Sequence, residues 1–241
     1  MLAKMNDARE RLIIALDVSS AAEARNIVAA VGESATTYKV GMQLYTAEGP
    51  PVVRELLASG RRVFLDLKYH DIPNTVGAAV RQAAKLGVHM LTVHASGGTT
   101  MLRAAAEAAR DVNPALKILA VTVLTSMDES ELNRVGVHSP VLDQVLRLGS
   151  MALAAGCQGL VASALEASAL RKLGKEFLIV TPGVRLAGSD QGDQARVVTP
   201  EEAMKAGASH IVVGRPITGA KDPGGEAKTI LEQMKMSLVA R

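Results

Sequence analysis

An acid, a base and a second acid stand close together in the stretch Asp66-Leu67-Lys68-Tyr69-His70-Asp71. The apolar run 63–65 before it predicts a buried strand, and residues two apart on a strand share a face, so Asp66 and Lys68 are expected side by side. Charges at the end of a buried strand destabilise the protein unless they pair or take part in a reaction. A lysine placed there can stabilise a developing negative charge and donate a proton. For Asp-x-Lys alone, however, a structural ion pair is the simpler interpretation.

The same stretch continues as Ile72-Pro73-Asn74-Thr75. A proline disfavours helix at the residue before it, so Asp71 is expected in a turn beyond the strand end. Asn74 or Thr75 is then expected to cap the helix that follows.

Eight strand-like segments, each followed by a helix-like segment, must position these charges. The strands are expected at 12–17, 37–41, 62–68, 89–95, 117–124, 159–163, 177–181 and 210–214. Such alternation predicts parallel pairing through right-handed crossovers. Eight units in 241 residues fit a closed (β/α)8 TIM barrel, with residues 1–241 as one domain. A doubly wound open sheet is the alternative, but no Gly-x-Gly-x-x-Gly follows the first strand.

Polar and charged residues recur at the predicted strand ends, while the strand interiors are apolar. Those ends carry Asp17, Lys39, Asp66 with Lys68, His94, Thr125-Ser126, Ser163, Pro182-Gly183 and Gly214-Arg215. Active sites of TIM barrels lie at the carboxyl ends of the strands, so these groups predict one site at one mouth. The loops after the seventh and eighth strands are the usual phosphate site of such barrels. We expect Gly214 to allow close approach of a phosphate and Arg215 to donate to it.

The composition argues against a nucleic-acid partner and favours a small anionic ligand. Hydrophobic residues make up 48% of the chain, but aromatic residues only 2%, which argues against a protein that stacks single-stranded nucleic acid on aromatic rings. The formal net charge of +3 is mild, and the basic residues are spread among acids. A small anion such as a phosphorylated metabolite is therefore a more natural partner than a polynucleotide.

Cysteine usage and hydropathy bear on location. The single Cys157 excludes an internal disulfide and a multi-cysteine metal site, and it fits a reducing, cytoplasmic compartment. No apolar run reaches the length needed to span a membrane, so no membrane partner is expected. Residues 1–11 are charged and lack a long apolar core, which predicts neither a signal peptide nor an anchor there.

The ten residues 66–75, Asp-x-Lys-x-x-Asp-Ile-Pro-Asn-Thr, closely resemble the signature of the orotidine 5'-phosphate decarboxylase family. Related decarboxylases and aldolase-like synthases share Asp-x-Lys-x-x-Asp, and the Ile-Pro-Asn-Thr continuation is much more specific. The resemblance extends over nearly the whole chain. Its other motifs are Ala15-Leu16-Asp17, Tyr38-Lys39-Val40-Gly41, Leu124-Thr125-Ser126, Thr181-Pro182-Gly183-Val184-Arg185 with Gln194, and Val213-Gly214-Arg215-Pro216-Ile217.

The resemblance implies a role for each matching residue. Asp17 binds sugar hydroxyls, Ser126 lies at the pyrimidine edge, and the seventh- and eighth-strand loops hold a phosphate. The implied catalytic residues are Lys68, Asp66, Asp71 and Lys39. The implied substrate-binding residues are Asp17, Lys39, Asp66, Thr75, Ser126, Pro182, Arg185, Gln194, Gly214 and Arg215.

The activity implied is decarboxylation of orotidine 5'-monophosphate to UMP and CO2 in de novo pyrimidine biosynthesis, with Lys68 as proton donor and with no cofactor or metal. The implied assembly is a homodimer in which Asp71 and Thr75 reach into the neighbouring subunit's site. The alternative is a Mg²⁺-dependent sugar-phosphate decarboxylase or hexulose-phosphate synthase of the same barrel group. A catalytically silent phosphate-binding barrel is a further alternative, which the intact Asp66, Lys68 and Asp71 set disfavours.

Overall fold

A computed structural model describes residues 7–186 and 198–239. Eight parallel strands close into a barrel in chain order, each strand pairing with its neighbours in sequence and β8 with β1. The strands are β1 Leu12–Ala15, β2 Thr37–Gly41, β3 Arg62–Tyr69, β4 Met90–His94, β5 Lys117–Val121, β6 Gly159–Val161, β7 Leu178–Thr181 and β8 His210–Val213. The predicted (β/α)8 TIM barrel is therefore confirmed, and all eight predicted strands are present. That residues 1–241 form a single domain stays a prediction.

Helices follow the strands around the barrel. They are α1 Ala8–Arg11, α2 Ala21–Val31, α3 Met42–Glu48, α4 Pro50–Ala58, α5 Pro73–Leu86, α6 Gly98–Val112, α7 Glu129–Arg134, α8 Val141–Ala154, α9 Ala164–Leu170, α10 Pro200–Lys205, α11 Arg215–Thr218 and α12 Pro223–Val239. Short 3-10 turns occupy Gly32–Ser34, Ala95–Gly97 and Arg171–Leu173. Among the described helices, none is long and apolar enough to cross a membrane.

The apolar side chains form two layers, because inward and outward positions alternate along each strand. The barrel interior is filled by Ile13, Ala15, Phe64, Met90, Leu119, Val180 and Val212. A larger aliphatic layer lies between the strands and the helices and contains Cys157. Burial raises the pKa of the Cys157 thiol to about 12, so this side chain behaves as a small apolar residue.

One predicted helix start was wrong. Helix α5 begins at Pro73 and its N-cap is Ile72, with no side-chain cap, so neither Asn74 nor Thr75 caps it. Proline fits the first helical position because it has no N–H to leave unsatisfied and its φ angle is already helical. Ile72 itself is extended, with ψ 152°, as the following proline requires. The turn that carries Asp71 therefore ends earlier than expected.

Candidate active site

A cavity of about 500 Å³ opens at the carboxyl ends of the strands. Its walls contain most of the residues predicted for the site, from both ends of the chain. Those residues are Asp17, Lys39, Asp66, Lys68, Ser126, Pro182, Arg185, Gly214 and Arg215. Gln194 lies outside the described residues. The converging strand ends predicted from the sequence therefore do form one site.

Four of these side chains form a continuous series of ion pairs in which acids and bases alternate. Lys39 Nζ lies 2.7 Å from Asp17 Oδ1 and 3.6 Å from Asp66 Oδ2, and Lys68 Nζ lies 2.9 Å from Asp66 Oδ2. We call Asp17, Lys39, Asp66 and Lys68 the charged network. Two acids and two bases make it neutral in sum, which reduces the cost of burying it. Asp17, at the end of β1, thus supplies the second acid of this network within the chain.

Asp66 is the most enclosed acid of the charged network. Its side chain is 11% exposed, as is that of Lys39, whereas the Asp17 side chain is 55% exposed. Burial alone would raise the pKa of Asp66, but the charges of Lys68 and Lys39 and hydrogen bonds from Lys68 and Thr92 outweigh it and lower the pKa. The carboxylate therefore contributes stability above its ordinary pKa of 3.8, and this contribution is lost only as the pH falls through its still lower folded value.

The backbone of β3 departs from regular strand geometry where it presents Lys68. The β3–β4 register runs from Leu65 opposite Leu91 to Tyr69 opposite Val93, so β3 has two more residues than β4 between these pairs. Lys68 has a φ of 52°, the one positive value at a non-glycine residue in the described chain. Such a conformation costs on the order of 1–2 kcal/mol and persists only where its surroundings enforce it.

Thr92 on β4 forms hydrogen bonds with this distorted segment of β3. The backbone N–H of Lys68 donates to Thr92 Oγ1 over 2.9 Å, and the Thr92 hydroxyl donates to Asp66 Oδ1 over 2.9 Å. Sequence reasoning missed Thr92. The available signal was a hydroxyl residue at an inward position of the otherwise apolar run Met90-Leu91-Thr92-Val93.

The role of Gly41 was also missed, although the residue belongs to the second-strand motif and closes β2 two residues after Lys39. A Cβ atom at Gly41 would lie 2.9 Å from Lys39 Nζ and 3.1 Å from Asp17 Oδ1. Both distances are shorter than ordinary contacts with carbon, so glycine leaves the room in which this ion pair forms.

The opposite wall of the cavity is formed by the loops after β7 and β8. We call residues 182–185 and 214–215 the β7–β8 loops. Gly183 has a φ of 75°, which glycine adopts without strain, and Arg185 is buried with its Nη1 donating to Val184 O over 3.1 Å. Arg185 N donates to Val198 O over 3.0 Å, which fixes the loop to the start of the next segment. Gly214 is the N-cap of the four-residue helix α11, and Arg215 is its first residue.

Asp71 and Thr75 lie apart from the cavity walls. Both residues are exposed, and the Asp71 carboxylate accepts the backbone N–H of Ile72 over 2.7 Å. Within the described part of the chain Asp71 forms no ion pair with Lys68, so the structure joins Lys39, Asp66 and Lys68 but leaves Asp71 outside. Ile72, between them, is 67% exposed.

His94 packs beside the charged network without joining it. Its ring centroid lies 5.5 Å from that of His70, with the planes tilted by 37°. Burial, followed by the charges of His70 and Lys68, lowers the pKa of His94, so this imidazole is neutral at neutral pH. The ring contact with His70 therefore accounts for His94 as a packed side chain.

Comparison with known proteins assigns the chain to a family. A sequence model of the "Orotidine 5'-phosphate decarboxylase / HUMPS family" matches residues 10–230. The chain belongs to this family. The resemblance seen in residues 66–75 is therefore confirmed. The orotidine 5'-phosphate decarboxylase / HUMPS family match spans all eight strands and every described wall of the cavity.

Individual relatives are similar over nearly their whole length. The orotidine 5'-phosphate decarboxylase of Moorella thermoacetica is 50% identical over 236 residues, which are 95% of this chain and 94% of that protein. That of Heliobacterium modesticaldum is 48% identical over 242 residues, covering 98% of this chain and all of the relative. The crystal structure of orotidine 5'-phosphate decarboxylase from Lactobacillus acidophilus superposes with a TM-score of 0.83 at 38% identity, covering 93% of this chain and 99% of the other.

Proposed function

We propose that this protein decarboxylates orotidine 5'-monophosphate to UMP and CO2, a step of de novo pyrimidine biosynthesis. The observation that carries the proposal is Lys68 Nζ, held 2.9 Å from the buried Asp66 carboxylate at the wall of the cavity. The relatives that share about half of the sequence are named for this activity. A cytoplasmic location and the absence of a nucleic-acid partner are expected with it.

The chemical problem is a carbanion that the pyrimidine ring does not delocalise. When the C6–carboxylate bond breaks, CO2 leaves and the electron pair stays on C6 in the plane of the ring. A preorganised positive charge lowers the energy of that state without reorganising at the moment of reaction. The Lys68 ammonium supplies the charge and then transfers a proton to C6, which yields UMP and a neutral amine that solvent reprotonates.

The rest of the charged network positions Lys68 for this step. Asp66 pairs with the Lys68 amine and fixes its position, and Lys39 offsets the cost of holding Asp66 and Asp17 near each other. We assign Asp17, more exposed than Asp66, to the sugar hydroxyls, because its carboxylate faces the cavity with room to accept hydrogen bonds.

We assign the phosphate to the β7–β8 loops. Gly183 and Gly214 leave the backbone open to a close approach, and the guanidinium groups of Arg185 and Arg215 suit a phosphate because a planar fork donates two parallel hydrogen bonds. This is also the usual phosphate position in a TIM barrel. Ser126, on the cavity wall, is assigned to the pyrimidine edge, and Pro182 to the substrate as well. Gln194, outside the described residues, is assigned to the substrate from the family resemblance alone.

We infer that the working unit is a homodimer in which Asp71 and Thr75 complete the neighbouring subunit's site. Support comes from their exposure, from the absence of an Asp71–Lys68 ion pair in the described chain, and from the exposed Ile72 beside them. An interface that covers Ile72 would remove this apolar side chain from water and bring Asp71 to a second chain.

Turnover of orotidine 5'-monophosphate, followed by its ultraviolet absorbance and by UMP formation, tests the proposal. We expect turnover by the purified protein that is unchanged by a chelator. Inactivation by the chelator that Mg²⁺ reverses, together with activity on a sugar phosphate, would instead support the Mg²⁺-dependent alternative. Binding of UMP without any turnover would support the silent barrel.

A further inference from the structure

Thr92 connects two parts of the site without lining the cavity. Its side chain is fully buried at 0% exposure, and it is absent from the cavity walls. The hydroxyl oxygen accepts the Lys68 N–H, and the hydroxyl proton goes to Asp66 Oδ1, each over 2.9 Å. One side chain on β4 thus holds both the backbone of the reacting lysine and the carboxylate that pairs with its amine.

The Lys68 N–H needs this acceptor because the strand ladder is interrupted there. Regular β3–β4 pairing stops after Leu65 and resumes at Tyr69. A part-buried N–H between these points costs free energy if it has no partner. The Thr92 hydroxyl replaces the missing ladder bond, and it does so at the residue with the positive φ.

The two carboxylate oxygens of Asp66 have different partners. Oδ1 accepts from Thr92, while Oδ2 faces both Lys39 and Lys68. A hydroxyl has a single proton to donate. The Lys68 N–H is itself a donor, so the Thr92 proton goes to the carboxylate of Asp66, which is an acceptor. The carboxylate is thereby held against rotation, with one oxygen aimed at the lysines.

We propose that Thr92 is a positioning residue: its hydroxyl fixes the left-handed backbone of Lys68 and the rotation of Asp66, and so sets where the Lys68 ammonium lies beside the reacting carbon. The proposal rests on the decarboxylase function proposed above. Thr92 should affect the chemical step and not substrate binding, because it acts through Lys68 and Asp66, whereas the proposed phosphate site is on the far wall of the cavity.

Thr92→Val tests this role, since valine keeps the shape of threonine and removes only the hydrogen bonds. Displacement of a reacting group by a fraction of an ångström to 1 Å costs up to about 100-fold in rate, so we expect kcat to fall roughly 10- to 100-fold. The KM for orotidine 5'-monophosphate and the affinity for UMP should stay close to wild type. Thr92→Ser, which restores the hydroxyl, should recover most of kcat.

Thr122→Val is the matched control. Thr122 is also buried, and its hydroxyl donates to a backbone carbonyl, Val161 O, over 3.0 Å, but it does not line the cavity. Its loss removes a comparable hydrogen bond with no link to Lys68, so kcat should stay near wild type. If Thr92→Val retained wild-type kcat, or if both valine variants lost kcat equally, the positioning role would be overturned.

A Thr92→Ser and Thr92→Ala comparison and chemical labelling of Lys68 test the same role independently. If Thr92→Val does not fold, Thr92→Ser and Thr92→Ala are compared, because they differ only by the hydroxyl; equal kcat values would contradict the proposal. Acetylation of the Lys68 amine by acetic anhydride, quantified by mass spectrometry, needs no substrate and should be faster in Thr92→Val than in Thr122→Val. Equal labelling would overturn the role of Thr92 whatever the substrate proves to be, whereas a wild-type protein inert toward orotidine 5'-monophosphate would overturn only the proposed function.

Discussion

The two walls of the cavity are built in different ways. The wall at the ends of β1, β2 and β3 is a chain of direct ion pairs, 2.7–3.6 Å long, between side chains set on strands or just beyond them. The wall at β7 and β8 consists of loop backbone, two glycines and two arginines. The first wall holds its charges in place through one another, as a group that acts on a developing charge should be held. The second presents donors to an anion that comes from outside.

This difference predicts different kinetic consequences. Changes at Lys39, Asp66 and Lys68 should act on kcat, because in the proposed mechanism these residues supply and hold the ammonium at the reacting carbon. Changes in the β7–β8 loops should act on substrate affinity, because a phosphate remote from the reacting carbon is bound about equally in the ground state and the transition state.

Lys68→Ala is the strongest test of the charged network. Turnover should be nearly abolished, because the variant lacks both the positive charge and the proton that the reaction requires. The fold should persist, since Lys68 lies at the barrel mouth rather than in its core. Circular dichroism and UMP binding check the fold, and the ultraviolet assay checks turnover. A well-folded variant with near wild-type turnover would remove Lys68 from the mechanism.

Subunit mixing tests whether Asp71 belongs to the charged wall of a partner. Lys68→Ala and Asp71→Ala should each be inactive as homodimers. Random exchange makes about half of the dimers hybrids, and if Asp71 acts in trans each hybrid has one intact site, so about a quarter of all sites recover. If Asp71 acts within its own chain, every site stays defective.

The mixing experiment needs proof that subunits exchange. Native mass spectrometry of differently tagged chains supplies it, and a mixture of each variant with itself is the control. Exchange without any recovery of turnover would exclude Asp71 from the partner's site, and the proposed contribution of Thr75 would lose its support.

Arg215→Ala tests the second wall. A hydrogen bond to a charged group contributes on the order of 1.5–3 kcal/mol, so KM should rise roughly 10- to 150-fold with a smaller change in kcat. A substrate that lacks the phosphate should be almost insensitive to the substitution. Equal damage to both substrates would mean that Arg215 does not bind the phosphate.

The sequence predicted the strands and the mouth because local pattern decides both. Apolar runs ending in charge located β1, β2 and β3, and alternation correctly placed Asp66 and Lys68 on one side. The roles of Thr92 and Gly41 were not found, because they depend on how separate strands align in register. The left-handed φ of Lys68 was equally hidden, since lysine carries no preference for it.

The start of α5 and the ion pair between Asp17 and Lys39 show a second kind of limit. Both Asn74 and Pro73 are good residues for a helix start, and only the three-dimensional path of the turn decided for Pro73. The Asp17–Lys39 ion pair joins the segment just after β1 to β2, two parts of the chain that only the paired strands bring together. Spacing along the chain does not reveal such a pair.

A matched pair of glycine substitutions gives the smallest expected effects and the sharpest comparison of the two walls. In Gly41→Ala the new Cβ would lie 2.9 Å from Lys39 Nζ, so the ammonium, pinned by Asp17 and Asp66, must shift. In Gly214→Ala the nearest atom, Ala15 Cβ, is 3.5 Å away, an ordinary contact, so the protein itself should be undisturbed.

We expect Gly41→Ala to lower kcat by about fivefold, equivalent to about 1 kcal/mol of barrier height, with KM nearly unchanged. Gly214→Ala should do the reverse, raising KM because the methyl group keeps the phosphate from the backbone. Steady-state kinetics on both variants decides the matter: a fall in kcat alone for Gly214→Ala, or a rise in KM alone for Gly41→Ala, would show that the division between a chemical wall and a binding wall is wrong.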